Sequence, residues 1–506
     1  MFVLLLTACI QLEEPTPTPL PTAVPTHTPR PPTPTPLPTI EVTNVMPPVW
    51  PTAVPLPQPL SRTAVSAAEQ AVLAELTGPR PPERDDVALA IAFQGVTEIA
   101  DPPQTAVETF TEGDHLTFNI NNLDTNTVSA IDTVLLAVSD HAYFWFDTGP
   151  GSVDPDRGEL AEMAALFDEI YEMDVQYFGS EANPGIDGDP RVHIVHASPL
   201  ALCDVTLATA DQCGFAGYFS SDNVLPTAVE PSSNAREMFI MNITQFDTNF
   251  YRNVLAHEFR HMIEDAHDRG DADWEAEGSA SLAEELLGYP RSPQLRGNLF
   301  INEPDLQLNA WSDENRTPHY GMGYVLNRYI FDRLGEKLYR EFATSPGYGL
   351  DAVTAVAQAN GLDITGESLW LDWLAALAIH NEPGAPEMYR FKGVELDSAA
   401  MTAVRLPFTA GANVHQFASD YYELPANTAV TVQFSGDPVV PLLDTAPISG
   451  ERYWYAQRAN YSNPRLTRTV DLRDVDTATL AYWAYVDIEQ GYDFAYVSVS
   501  VDDGRT

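Results

Sequence analysis

The chain has 506 residues, 72 of them acidic and 26 basic, for a formal charge of −46. So acidic a chain offers no basic surface to displace counterions from phosphates, which excludes nucleic acid as a partner and charge-driven docking on anionic lipid. Hydrophobic residues make up 44% of the chain, enough for real cores in two to four domains at about 100–200 residues each, so this is not a disordered protein.

The N-terminal run Phe2-Val3-Leu4-Leu5-Leu6 is apolar and leads into Cys9. Leu6-Thr7-Ala8-Cys9 resembles the lipobox of bacterial lipoproteins. The resemblance implies that residues 1–8 are a signal peptide and that Cys9 is lipidated and becomes the new N-terminus. No Lys or Arg precedes the apolar run, so the signal is expected to begin upstream of Met1. No later apolar run approaches the ~20 residues that span a bilayer, which leaves an acyl chain as the expected anchor. Residues 15–59 are dominated by Thr-Pro and Leu-Pro steps. Proline fixes such steps near polyproline II and removes hydrogen-bond donors, so residues 9–60 read as a disordered tether.

Residues 61–150 open with helical spacing at 61–76, stopped by Gly78-Pro79, and continue as a β-rich region. Strands are predicted at 87–93, 115–120, 133–138 and 142–146, forming a prodomain or an accessory layer. Residues 151–386 are predicted to be the main α+β domain. Apolar residues at helical spacing run over 160–177, and strands fall at 191–196 and 237–243. A long helix is predicted over 247–268, capped by Asp247 or Thr248, with further helices at 279–287, 321–334 and 369–379. From 387 to 506 short runs separated by Gly, Pro, Asn and Asp read as a β-sandwich.

His257-Glu258-Phe259-Arg260-His261 is an H-E-x-x-H motif in the middle of that long helix. Residues four apart share a helix face, so both imidazoles can address one ion while Glu258 lies beside it. A catalytic zinc needs a third protein ligand and an open position. His267 stands three residues past Glu264, where a sharp turn would require glycine, so His267 is expected to continue up the helix and away from the ion. Glu277, which opens the next helix, can present a carboxylate; Glu275 lies close enough to compete for the role.

His257 to His261, followed by Trp274-Glu275-Ala276-Glu277-Gly278-Ser279-Ala280, resembles the gluzincin metallopeptidases. Within that group the chain resembles hyicolysin-type peptidases and secreted peptidases related to immune inhibitor A, over about residues 177–340. The resemblance implies a zincin-like fold, zinc held by His257, His261 and Glu277, Glu258 as general base, and a protein or peptide as substrate. His319-Tyr320-Gly321-Met322-Gly323-Tyr324 resembles the segment that carries a transition-state tyrosine in gluzincin aminopeptidases. Tyr320 is then the expected oxyanion donor, with His319 and Tyr324 as alternates. No G-x-M-E-N exopeptidase segment occurs, which favours an endopeptidase. The C-terminal stretch 482–500 resembles the jelly-roll domain of immune inhibitor A-like peptidases, and against that family the sandwich is expected to be truncated.

Cys203 and Cys213 form the remaining cysteine pair, around a short loop that a disulfide can close. Asp187-Gly188-Asp189, and Asp487 with Glu489 and Asp493, are candidate calcium positions. Together these features predict a monomeric, lipid-anchored zinc endopeptidase on the outer face of a bacterial membrane, or secreted. The alternative is an inactive surface-binding lipoprotein whose sandwich binds protein or polymer.

Overall fold

The computed structural model describes residues 2–5, 66–77, 84–97, 99–102, 108–246, 248–312, 315–425 and, with short interruptions, 429–501. The expected lipidation at Cys9, the proline-rich tether at 15–59, the Gly78-Pro79 stop and the Asp247 cap lie outside the described residues. No helix among the described residues is long and apolar enough to cross a membrane. The chain forms two compact units, Glu83–Val432 and a smaller one of Met1–Pro82 with Gln433–Thr506.

The larger unit is built on a six-stranded sheet. Its strands are β1 (His115–Asn122), β2 (Thr127–Val138), β3 (Ala142–Asp147), β4 (Val192–Ala197), β5 (Gly217–Phe219) and β6 (Met238–Asn242), in spatial order β1-β2-β3-β4-β6-β5. β3, β4 and β6 run parallel, while β1 and β2 at one side and β5 at the other are antiparallel to their neighbours. The three central strands are buried along their whole length, which is why they read as unbroken apolar runs. Successive side chains alternate faces. Phe144, Phe146, Ile194, Phe239 and Met241 face the helices, and Tyr143, Trp145, Val195, Met238 and Ile240 face a second core that includes Cys203. Cys203 and Cys213 are disulfide-bonded at the edge of that second core. The strands predicted at 115–146 are therefore part of the same sheet as those at 191–243, and the expected boundary at residue 150 runs through it.

Helices cover the other face: α1 (Arg157–Phe178), α2 (Asn249–His267), α3 (Asp273–Leu286), α4 (Arg291–Asn302), α5 (Thr317–Leu334), α6 (Glu336–Ala343), α7 (Gly349–Ala359) and α8 (Gly366–Ile379). The helix α4 was not predicted because Pro293 and Gly297 interrupt its pattern. Pro293 falls in the first turn, where a missing N–H costs little. The strand predicted at 87–93 is instead helix Asp86–Leu89 running into a π-helical turn, Ala90–Gln94. Asp85 accepts a hydrogen bond from the Ala88 amide and Gly95, at φ +74°, closes the turn. Short apolar runs carry no decisive period, and the end signals settle this one as helix.

Past α8 the larger unit ends with a two-residue parallel ladder, Thr402–Ala403 against Tyr422–Glu423. In the smaller unit Phe2–Leu5 pairs antiparallel with both Thr467–Val470 and Ser498–Ser500, and Ala67–Thr77 is helical. Two packed sheets, as the predicted sandwich requires, do not form among the described residues from 387 onward. Trp454 and Trp483 are about four-fifths exposed (82% and 81%), so their apolar surface has no facing layer.

Candidate metal centre

The helix α2 starts where Thr248 Oγ1 accepts a hydrogen bond from the Tyr251 amide. Its core stripe is Tyr251, Leu255, Phe259, Met262 and Ile263, all buried. That stripe fixes the helix's rotation and puts His257 and His261 together on a neighbouring stripe, their rings 4.9 Å apart between centroids. Glu277, in the second turn of α3, meets both: its Oε2 lies 3.2 Å from His257 Nε2 and 3.5 Å from His261 Nε2. One donor atom from each of the three residues lies within 4.8 Å of the others, the one such group of three among the described residues.

Close contact between helix backbones places that carboxylate. A Cβ on Gly278, next to Glu277, would lie 2.4 Å from the Gly323 carbonyl oxygen on α5 and 2.2 Å from Asn327 Nδ2. Only glycine lets α3 approach α5 so closely, which sets the height of Glu277 above the two histidines.

Burial disfavours charge on Glu277, yet the His261 charge and hydrogen bonds from both imidazoles hold it well below the usual carboxylate range. Burial likewise opposes protonation of His257, but the Glu277 and Glu284 carboxylates push it up to about 9. Two imidazole nitrogens and an ionised carboxylate oxygen, largely shielded from solvent, are the donors that zinc takes, so the residues fit that ion. Behind His257, Nδ1 meets Glu284 Oε1 at 3.0 Å, the carboxylate backing that orients a ligating imidazole.

Glu258 is buried beside the trio, and its Oε2 accepts a hydrogen bond from the Phe219 amide on edge strand β5 (2.8 Å). Burial raises its pKa, and the Glu277 charge adds to the effect against the two histidines. A carboxylate tuned upward is a better proton acceptor at neutral pH. Tyr320, at the start of α5, brings its ring within 6.4 Å of the His257 ring and packs edge-on against Trp311.

The competing residues are placed elsewhere. His267 ends α2 with its ring against Gly179, outside the trio. Glu275 accepts hydrogen bonds from the Ala272 and Gly349 amides and serves as a cap. Tyr324 is fully buried and donates to Glu285, while His319 is buried beside Trp311. The calcium expectation gains no support. Asp187 is taken up by Arg236 (3.0 Å) and His193 (3.5 Å), and Asp189 accepts from the Tyr143 hydroxyl and the Arg191 amide. Asp493 accepts from the Glu489 amide on an exposed surface, and no group of three donors forms there among the described residues.

Sequence reasoning missed Glu284, Arg296 and the Phe219 amide. Glu284 could have been found, because it follows Glu277 by seven residues, two turns along one helix face. Arg296 and Phe219 reach the site from other elements and leave no local signal.

No protein-family model matches the chain, and no curated protein does. Similar solved structures include the M1 zinc metallopeptidase of Deinococcus radiodurans, as a glutamate-to-alanine mutant bound to a Tyr-Ser-Ala substrate. It shares 13% identity over 51% of this chain and 51% of that one, at a TM-score of 0.30. The same mutant in a second structure shares 12% identity, 51% of each chain and a TM-score of 0.29. A two-domain M1 zinc metallopeptidase mutant bound to L-arginine gives the same figures. The chain thus spans about half the length of these structures.

Proposed function

We propose that this chain is a zinc-dependent metalloendopeptidase, acting on protein substrates outside the cell and tethered there through a lipidated Cys9. One convergence carries the reading: two Nε2 atoms and a carboxylate oxygen within 4.8 Å of one another, with the buried Glu258 alongside. His257, His261 and Glu277 hold the ion, and zinc so held supplies Lewis acidity and a lowered pKa for water. Glu258 accepts a proton from the attacking water and delivers it to the leaving nitrogen, its orientation fixed by the Phe219 amide. Tyr320 donates to the oxygen that gains charge in the transition state. β5 is an edge strand, and apart from the Phe219 amide that Glu258 takes, its outer side is where an extended peptide can add as a strand. The endopeptidase assignment rests on the lack of a G-x-M-E-N segment.

A purely binding role makes no use of a proton-accepting carboxylate held buried beside the ligand trio. The test is metal analysis of purified protein with a casein-cleavage assay. About one zinc per chain and cleavage lost to a chelator are expected. Glu258→Gln should keep the zinc and lose cleavage by about 10²–10⁴-fold. A protein without zinc, or a Glu258→Gln variant that cleaves at the parent rate, would sink the reading.

A further inference from the structure

Arg296, on α4, has a side chain only 18% exposed, a costly place for a guanidinium unless its surroundings use it. Its Nη2 donates to Glu284 Oε1 at 2.5 Å and to Ser281 Oγ at 3.2 Å. The same Glu284 oxygen stands 3.0 Å from His257 Nδ1. The guanidinium carbon also lies 5.5 Å from the centroid of the Tyr320 ring. One side chain therefore touches both the carboxylate behind a metal-ligand candidate and the ring of the oxyanion-donor candidate.

The backbone enforces this double contact. A Cβ on Gly321, next to Tyr320, would fall 1.9 Å from the Arg296 carbonyl oxygen, so α4 and α5 touch main chain to main chain here. Arg296 Nε is buried with no hydrogen-bond partner, so the placement favours the Nη2 contacts and the Tyr320 ring over satisfying every donor. A lysine could meet Glu284 as a point charge, but it lacks the flat face that lies over an aromatic ring.

We propose that Arg296 is a positioning residue for the hydrolytic centre, holding Glu284 against His257 and Tyr320 in place beside the ligand trio. The proposal rests on the metallopeptidase reading above and adds a part to it.

The test uses the full chain with Arg296→Met and Arg296→Lys, each also in a Tyr320→Phe background. Zinc affinity is read by chelator competition, kcat and KM by cleavage of a fluorogenic peptide, and folding by thermal melts. Arg296→Met should weaken zinc binding by about 10-fold or more, because loosening an outer-shell partner typically costs 10–100-fold. At saturating zinc its kcat should fall about 10–100-fold with KM within about twofold, the pattern of a lost transition-state contact. Arg296→Lys should recover zinc affinity but not kcat. In the Tyr320→Phe background Arg296→Met should lower kcat far less than in the parent. Parent-like zinc affinity and kcat in Arg296→Met overturn the proposal, as does full additivity with Tyr320→Phe. If Arg296→Met fails to fold, a folded Arg296→Lys with parent kcat overturns it alone. A parent chain that binds no zinc or cleaves nothing removes both readings, whereas an active parent with an indifferent Arg296 removes only this one.

Discussion

His257 and His261 present equivalent nitrogens to Glu277 but differ in what stands behind them. Glu284 meets His257 Nδ1 at 3.0 Å, while the carboxylate nearest His261 Nδ1, Glu264, is 3.9 Å away, too far for a hydrogen bond. The motif itself was legible because its information is local: an i, i+4 pair on a nineteen-residue helix whose core stripe lies within it and whose cap, Thr248, directly precedes it. The third ligand was not local. Sequence alone set His267 aside, because Glu264 stands where the turn needs glycine, but left Glu275 and Glu277 in play, and the resemblance decided between those two. Glu277→Ala should therefore cut zinc content sharply, while His267→Ala leaves it near the parent value by metal analysis; the reverse ranking would overturn the assignment. Another prediction belongs to His196, fully buried between the Trp145 carbonyl (2.9 Å) and the Tyr251 hydroxyl (2.7 Å). Burial pushes this imidazole down to about 3, against the hydrogen bond to Trp145. The unfolded chain takes up that proton near pH ~6.5 and the folded one does not, so its contribution is complete above ~6.5 and is lost as pH falls toward ~3. The loss is on the order of a few kcal/mol. Thermal midpoints at pH 7 and pH 4.5 should differ less in His196→Gln than in the parent, and equal differences would show that another group governs the acid limb.

At the scale of elements, the site depends on how closely helices approach rather than on loops. α3 and α5 meet through Gly278 and Gly323, and a Cβ on Gly323 would in turn lie 2.9 Å from the Trp274 carbonyl oxygen. Replacing Gly278 by Ala must push the helices apart or distort them, at about 1–3 kcal/mol, and should carry Glu277 off the histidines. Chemical denaturation and zinc retention should both fall in this variant, with Gly214→Ala, which meets open space, as the control. Loss of stability with full zinc retention would mean that the crossing does not place the ligand. Close crossings also explain where the sequence misled. Gly297 and Pro293 look like breaks in a helix, yet α4 needs the glycine to pass Val325 and Tyr324 on α5. β5 has only three residues, too short to show a period, although its amide holds Glu258.

Over the whole molecule, the α+β class and most long elements were readable from periodicity and end signals, whereas the grouping of strands was not. Periodicity says which way a side chain faces and nothing about which strand lies next door, so the strands at 115–146 looked like a separate layer. The disulfide was readable because Cys203 and Cys213 are the pair left once Cys9 is set apart, around a short loop that a bridge can close. The C-terminal stretch shows the limit of pattern: alternating aromatics at 482–496 suit a sandwich, but an alternating strand specifies a layer only if a second one closes over it. The interleaving of the sheet has its own consequence. β3 is zipped to β4 along five residue pairs, from Ala142 opposite Val192 to Phe146 opposite His196. A proteolytic nick near residue 150 would therefore release no propeptide; the severed front portion would stay in the fold as a non-covalent subunit.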